Sequence, residues 1–523
     1  MRDNDAQHVS PMLLVYGFIF VAAIALTYIG FSSRNPFFIG SVALIPFGVL
    51  LLNRPDVWLM TVIVLLRSKM RFPGLFGELE FVHILLFGLL CVLLAKRIIV
   101  KQPRPKEGRY WPFLYLFLLV LCITIAVRGF GFSFLGDSKV GGMRYIELLI
   151  TAFLPILIYY VPLRPQQWRF ALIGMGLMTL LPALADGLFI LTHGAVYQQY
   201  YFLRHGATVG RVAQDIMAGE ESRFGAGSAV AAGLVLIPYL VWPYRLSNAW
   251  KYFALIAAAL IFAGLSGHRL SMLTALAFVW TYGFSTAGRK RKGYVLATSL
   301  AGLFSLLIII PFVTHLPFAI QRSLAWIPFL EIDEMAKVAA RGTTVWRLQV
   351  WANALQEVPE YLLIGKGYTY EASLSATLRT MNSYEAMFAW PKIMVAYHNG
   401  PLSLLIGMGI FGLLSGVGLL VAATWRHMAL MSRGEWHDPI LHRLHRVVAI
   451  LFLIKAVSYL CIYGDVYRSF PGLFMWLSIL EGLWYSNRKL TPSPNEGLHE
   501  VENPAASPQV RRIHMSDANS NQL

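Results

Sequence analysis

Residues 396–423 read AYHNGPLSLLIGMGIFGLLSGVGLLVAA, and this stretch decides how the rest of the chain is interpreted. Most of it is an apolar run of about 20 residues, the length that crosses the hydrocarbon core of a bilayer. His398 and Asn399 stand where that run begins. The sequence therefore predicts a membrane span with a titratable imidazole at its boundary with water, where it could act on a lipid head group.

Apolar runs of this kind occur along most of the chain. Hydrophobic residues make up 57% of the 523 positions and charged residues only 14%, a composition that does not suit a soluble core. Hydropathy predicts an all-α polytopic bundle of about 14 transmembrane helices, with a range of roughly 12 to 14. The predicted spans lie near residues 11–31, 36–52, 56–66, 79–100, 111–127, 143–162, 168–192, 226–244, 250–266, 269–286, 293–315, 400–423, 446–463 and 469–486.

The longest polar interruption divides the chain into four predicted parts. Residues 1–315 would hold helices 1–11, and residues 316–399 would form a periplasmic loop that carries an amphipathic helix. Residues 400–486 would hold helices 12–14. The remainder, 487–523, is rich in Pro, Ser, Asn and Gln and has too little apolar content to fold alone, which predicts a disordered cytoplasmic tail.

The net charge of +17 does not indicate nucleic acid as a partner, because the basic residues gather in short loops between predicted spans. These loops are residues 96–109, 289–292 and 426–446. Under the positive-inside rule they face the cytoplasm, which places segments 193–225 and 316–398 on the outer side. The basic residues within 67–71 fall outside by the same count, so the topology before residue 96 is left open.

Arginines lie at predicted span ends and in both outer segments, at Arg223, Arg269 and Arg347. A guanidinium pairs bidentately with phosphate oxygens, so this pattern favours an anionic substrate. Snorkelling to the membrane surface is the alternative explanation. Acidic clusters at metal-ligand spacing are few, and the cysteines fall singly inside apolar runs, so we expect no metal site.

An amphipathic helix is predicted over residues 344–357, TVWRLQVWANALQE. Its period places Arg347 and Trp351 on one stripe and an apolar set on another: Val345, Leu348 and Leu355. Pro359 is predicted to end the helix. The following residues 365–368, GKGY, predict a turn whose glycines let the backbone approach another segment closely.

Four motifs in the carboxy-terminal half occur in a telling order. Residues 222–225 read SRFG, residues 267–271 read GHRLS, Arg347 and Trp351 form R-x-x-x-W upstream of a glycine turn, and residues 398–402 read HNGPL. The last motif is followed by Gly407, Gly409 and Gly412. Together these motifs resemble the superfamily of O-antigen ligases and O-antigen polymerases, which are bacterial membrane glycosyltransferases.

The resemblance implies a glycan on polyprenyl pyrophosphate as donor and a saccharide hydroxyl as acceptor on the periplasmic face of the inner membrane. His398 would be the catalytic base, and Arg347, Arg269 and Arg223 would bind the pyrophosphate. The reaction would invert the anomeric centre and need neither metal nor another cofactor. Besides the bilayer, the implied partners are an acceptor glycan or lipid A core, and a chain-length regulator or export-complex subunits.

The remaining motif residues have less specific expectations. Asn399, Tyr397 and Lys366 would orient the site, and Trp351 is better explained as packing or as an interfacial anchor than as a sugar platform. Asp465 and Arg468, in the turn between the last two spans, would either pair with each other or assist the site.

Two interpretations from other classes stay open at this stage. A lipid-linked oligosaccharide flippase or transporter would also have many spans and interior charges, but the chain shows no repeated halves with matching broken helices. A non-catalytic subunit of an export complex would leave His398 and Arg347 dispensable. Within the enzyme class, polymerase and ligase differ only in acceptor; the extra amino-terminal spans favour the polymerase.

Overall fold

A computed structural model describes residues 54–66, 81–100, 108–131, 138–181, 183–184, 227–242, 249–286, 296, 299–300, 310–374, 383–432 and 435–489. The amino-terminal helices follow one another as α1 Pro55–Leu65, α2 Phe81–Val100, α3 Trp111–Arg128, α4 Gly142–Leu157, α5 Pro165–Met178, α6 Gly227–Val241, α7 Ala249–Leu265 and α8 Arg269–Thr286. The rest are α9 Phe318–Leu324, α10 Glu334–Tyr361, α11 Ser383–Met394, α12 Gly400–Ser432, α13 Pro439–Cys461 and α14 Val466–Lys489. Short 3₁₀ turns span Ile158–Tyr160 and Ile310–His315.

The protein is a helical membrane protein. Among the described residues, the segments long and apolar enough to cross a bilayer are Trp111–Arg128, Gly142–Tyr160, Gly400–Ser432 and Pro439–Cys461. Shorter apolar helices accompany them: Pro55–Leu65, Val82–Leu94, Gly227–Val241 and Trp250–Leu265. The predicted number of spans stays a prediction, because the spans near 11–31 and 36–52 and most of the one near 293–315 lie outside the described residues.

Strand structure is confined, in the described part of the chain, to one antiparallel pair of two-residue strands. β1, Lys139–Val140, pairs with β2, Tyr370–Glu371. This pair joins the segment that precedes α4 to the segment that follows α10. It is a local tie, so the all-α prediction describes the architecture correctly.

The carboxy-terminal helices form the centre of the bundle. α3 packs along α12, α4 packs along α14, and α13 contacts both α12 and α14. Phe117 of α3 stacks on Phe470 of α14 with ring centroids 5.0 Å apart, and both rings are fully buried. Other faces of the same helices expose apolar side chains, such as Leu119 at 57% on α3, as a surface in contact with lipid requires.

α12 is interrupted at Gly409, whose φ of 73° is not helical. The predicted glycine turn fills this interruption: Lys366 N donates to Ile406 O at 2.7 Å and Gly367 N donates to Gly407 O at 3.0 Å. A β-carbon on Gly365 would lie 2.2 Å from the backbone of Gly407. The glycines of both motifs therefore serve a close backbone contact that fixes the loop against the span.

α10 differs from its prediction at both ends. It begins at Glu334, where the Asp333 side chain accepts a hydrogen bond from Met335 N, and it runs through Pro359 to Tyr361. α10 ends two residues after Pro359, so the predicted end is close to the observed one, whereas the predicted start at residue 344 is ten residues late. The predicted apolar stripe is confirmed, since Val345, Leu348 and Leu355 are exposed together.

The predicted span limits also shift in this region. α12 continues past 423 to Ser432, α13 begins at Pro439 after an Asp438 cap, and α14 extends to Lys489, three residues into the predicted tail. Polar residues in the ends of these helices pack against one another, which hydropathy does not register. The rest of the tail lies outside the described residues.

Candidate active site

His398 lies in the loop between α11 and α12, two residues before α12 begins. Its φ of 56° is left-handed, a conformation that costs a non-glycine residue free energy and is seen mainly where surrounding contacts enforce it. Two such contacts flank it. The His398 N–H donates to Asp465 Oδ1 at 2.9 Å, and Trp351 Nε1 donates to the Tyr397 carbonyl at 2.8 Å.

Asp465 is the acidic partner of His398. Its carboxylate is fully buried, and Oδ2 lies 3.2 Å from His398 Nδ1. Arg468 Nη1 is farther away, at 3.9 Å from the same oxygen. The sequence left open whether Asp465 pairs with Arg468 or assists the site, and its contact with His398 is the shorter of the two. A carboxylate at Nδ1 holds an imidazole in one orientation and stabilises its protonated form.

Tyr463 joins His398 to the first arginine. Its ring stacks on the His398 imidazole with centroids 4.9 Å apart and an interplanar angle of 14°. The guanidinium of Arg347 lies over the same ring at 5.5 Å. Burial raises the pKa of Tyr463, and the charge of Asp465 raises it further, so the phenol stays neutral.

Arg269 is the second arginine. It opens α8 after the turn at Gly267, whose φ is +67°, and it is close enough to Arg347 for the two like charges to repel. Neither forms an ion pair with any described acidic residue, and Arg347 Nε is buried without a hydrogen-bond partner there. Two adjacent unneutralised guanidinium groups form a site suited to an anion with several oxygen atoms.

Three further side chains lie at the site but do not belong to the four sequence motifs. Trp346 packs against the His398 ring at 5.5 Å, and Arg468 lies 5.3 Å from the Tyr467 ring centroid. Arg144 of α4 stacks on the other side of this group, 4.4 Å from Tyr467, and donates to the Tyr368 carbonyl at 3.0 Å. Arg468 and Arg144 thus add positive charge beside the site. Arg468 was considered from the sequence together with Asp465, whereas the only signal for Arg144 was that it is an arginine beside a span.

The other predicted supporting residues have structural partners. Asn399 caps α12, because its Oδ1 accepts from Leu402 N at 3.1 Å. Trp351 holds the backbone at Tyr397, in agreement with its interpretation as a packing residue. Lys366 pairs with Glu357 at 2.9 Å and donates to the Lys392 carbonyl at 3.1 Å, so it lies one layer away from His398.

The structure thus brings together His398, Arg347 and Arg269, which sequence reasoning selected, and adds Asp465 and Tyr463. Arg223 lies outside the described residues. Within the described residues, no three His, Cys, Asp or Glu side chains converge as a metal site. The geometry offers an oriented imidazole beside two positive charges at the boundary of a span.

These features define a class: a helical membrane protein with a histidine–aspartate pair near two arginines at a span end. Residues 253–416 match the family model described as O-antigen ligase. This match covers about a third of the chain and confirms the resemblance seen in its motifs. No curated protein sequence matches the chain. A domain of this family suggests membrane glycosyl transfer, and the matched segment includes Arg269, Arg347 and His398 but not Asp465.

Proposed function

We propose that the protein transfers a glycan from a polyprenyl-pyrophosphate donor to a saccharide hydroxyl, at the periplasmic face of the inner membrane. The observation that carries this assignment is the pair Arg269 and Arg347, unneutralised by any described acidic residue, next to His398. The pair suits a pyrophosphate group, and the imidazole suits proton removal from a hydroxyl at neutral pH.

In this reaction the acceptor oxygen forms a bond to the anomeric carbon of the donor glycan. The bond from that carbon to the pyrophosphate oxygen breaks, and the electron pair leaves with polyprenyl pyrophosphate. Arg269 and Arg347 neutralise the charge that develops on the leaving oxygen. Since the hydroxyl attacks opposite the leaving group, one displacement inverts the anomeric centre. No step requires a metal.

His398 accepts the proton of the attacking hydroxyl. Asp465 faces Nδ1, so Nε2 is the nitrogen assigned to the proton transfer, and the carboxylate stabilises the imidazolium that forms. Tyr463 and Trp346 pack against the ring and keep it in place. The loop therefore presents the base in a fixed orientation before substrate arrives.

The acceptor separates two versions of this function. A second lipid-linked repeat unit makes the protein a polymerase of a surface or secreted polysaccharide, whereas lipid A core makes it an O-antigen ligase. We favour the polymerase, on the predicted extra amino-terminal spans. Transport of a lipid-linked oligosaccharide, or a non-catalytic place in an export complex, are the alternatives from other classes.

The test is surface-polysaccharide analysis of a deletion strain complemented at matched membrane expression. We expect His398→Ala and Arg347→Ala to abolish long glycan while lipid-linked precursor accumulates on the outer leaflet. Matched controls are His315→Ala and Arg341→Ala, which alter exposed residues of the same types outside the candidate site. Loss of polymer identifies a polymerase, and loss of attachment to lipid A core identifies a ligase.

Two outcomes would contradict this assignment. Full complementation by both site variants would support a non-catalytic role. Precursor that accumulates on the inner leaflet would instead support a transporter.

A further inference from the structure

A cavity of about 270 Å³ lies between α10, α11 and the loop segment before His398. It is distinct from the arginine pair and is smaller than drug-binding pockets of roughly 300–1,000 Å³. Its lining mixes amide, charged and aromatic groups: Asn353, Gln356, Glu357, Phe388, Lys392 and Tyr397. This composition differs from the apolar packing of the bundle core.

The two lysines near this cavity share one carboxylate, which offsets one of their two charges. Glu357 is buried, with Lys366 Nζ at 2.9 Å from one carboxylate oxygen and Lys392 Nζ at 3.6 Å from the other. A phosphate entering here would meet the carboxylate as well as the lysines. The cavity is therefore a poorer anion site than the one at Arg269 and Arg347.

The remaining groups suit a ligand rich in hydroxyls. The amides of Asn353 and Gln356 each offer donors and an acceptor, and Glu357 accepts. The Tyr397 hydroxyl is buried and lies beside the carboxylate of Glu357. Burial, and then the nearby charge of Glu357, raise the pKa of Tyr397, so that it stays a donor. Phe388 supplies an apolar face of the kind that packs on sugar C–H groups.

The residues that line the cavity adjoin those of the candidate active site. Val350, Ala354 and Glu357 follow Arg347 on one face of α10, and all three line the cavity. Arg347 and Glu357 are about 15 Å apart along that helix. At the other wall, Tyr397 directly precedes His398. A chain of sugar residues held at His398 could therefore extend into this space.

We propose that this cavity is a saccharide subsite, which binds one sugar residue of the glycan chain next to the reacting centre. The assignment rests on the proposed glycosyl transfer, because it supposes that a glycan reacts at His398. The sugar belongs either to the donor glycan or to the acceptor glycan. Both present the same hydroxyl chemistry, and the experiment separates them.

Binding is measured on the purified full-length His398→Ala protein in lipid nanodiscs. The first probe is the glycan released from the lipid-linked precursor of the deletion strain by mild acid, which carries no pyrophosphate. We expect Asn353→Ala combined with Gln356→Ala to weaken its binding about tenfold, since two hydrogen bonds are lost. Both side chains are exposed on α10, so the fold should be retained, and thermal unfolding checks this.

Gln349→Ala is the matched control, because Gln349 is an exposed glutamine of α10 outside the cavity lining. It should bind the glycan as the parent does. Equal binding by the double variant and the parent, or no binding of the released glycan to the parent, would overturn the assignment. Neither readout depends on turnover, so the subsite can fail while His398 still proves essential, and the reverse.

The second probe is the intact lipid-linked glycan, assayed for transfer with protein that retains His398. If the cavity holds the donor, the double variant should raise the KM of the donor about tenfold and leave that of the acceptor unchanged. If it holds the acceptor, the KM of the acceptor should rise about tenfold and that of the donor should stay unchanged. A fall in kcat alone, with both KM values unchanged, would contradict a binding role.

Discussion

At the scale of single residues, the candidate site depends on a histidine that is held in an unfavourable backbone conformation. The φ of 56° at His398 is enforced by one hydrogen bond to Asp465 and by packing on Tyr463. The contacts of the ring with Asp465 and Tyr463 suit the proposed catalytic base, because an imidazole free to rotate would have to be oriented anew at each turnover. The aspartate is therefore expected to matter for rate more than for binding.

Asp465→Asn tests this expectation. The amide oxygen can still accept from the His398 N–H, while the negative charge at Nδ1 is lost. We expect kcat of glycosyl transfer to fall by roughly 10²–10⁴-fold with little change in KM, the range typical of general-base catalysis. Single-turnover kinetics in nanodiscs measure both values. A change confined to KM would assign Asp465 to substrate binding instead.

The two arginines lead to a separate prediction at the same scale. Arg347→Gln should weaken inhibition of transfer by inorganic pyrophosphate about tenfold or more, since a hydrogen bond to a charged group contributes about 1.5–3 kcal/mol. Arg341→Gln on the same helix is the control, because Arg341 is exposed and precedes Arg347, the arginine that lies over the Tyr463 ring, by six residues. A similar loss in both variants would mean that only the general positive field matters.

At the scale of elements, the joint between the glycine turn and α12 positions α10 against the span. The backbone N–H groups of Lys366 and Gly367 donate to the carbonyls of Ile406 and Gly407 in α12. Only glycine allows the backbones this close. The helix that carries Arg347 and the helix that follows His398 are thereby fixed relative to one another.

Gly365→Ala should disrupt this joint, since its β-carbon would lie 2.2 Å from the backbone of Gly407. We expect a lower yield of folded protein and a lower midpoint of thermal unfolding in detergent. Gly342→Ala on α10 is the control: no atom lies within 4 Å of its β-carbon, and alanine favours a helix by about 0.5–1 kcal/mol. Equal melting of both variants would show that the turn can yield.

The elements that sequence predicted best were those with local signals. The histidine at the span boundary, the faces of α10 and the glycine turn all follow from spacing within a few residues. The end of α10 lies two residues after the predicted stop at Pro359, but its first ten residues, from Glu334, were missed because they lack a clear apolar period. Asp465 could not be assigned to His398, since 67 positions separate them and only the packing of α12 against α13 and α14 brings them together.

At the scale of the whole molecule, a second polar cluster lies at the far end of the bundle from His398. Glu481 of α14 is fully buried and contacts Arg426 Nε of α12 at 3.0 Å and His427 Nε2 at 3.2 Å. Tyr159, after α4, donates to the same carboxylate. His427 continues to His445 of α13 at 3.1 Å. The Glu481 carboxylate thus links α14 to α12 and to the turn after α4, and His427 extends the cluster to α13.

This cluster is separated from the candidate site by much of the length of α14. Val466, which follows Asp465, and Glu481 are roughly 22 Å apart at the rise of an ideal helix. A change at Glu481 should therefore act on stability and leave the chemistry at His398 unaffected. The two ends of the bundle can be tested independently for that reason.

Glu481→Gln is expected to destabilise the protein by about 3–5 kcal/mol, because it leaves Arg426 with an uncompensated charge in a buried position. Combining it with Arg426→Met should recover much of the loss, since the buried charge is then removed as well. Denaturation in detergent measures both variants, and glycosyl transfer per folded molecule should equal that of the unmodified protein in each. A loss of specific activity without a loss of stability would instead connect this cluster to the transfer reaction across the bundle.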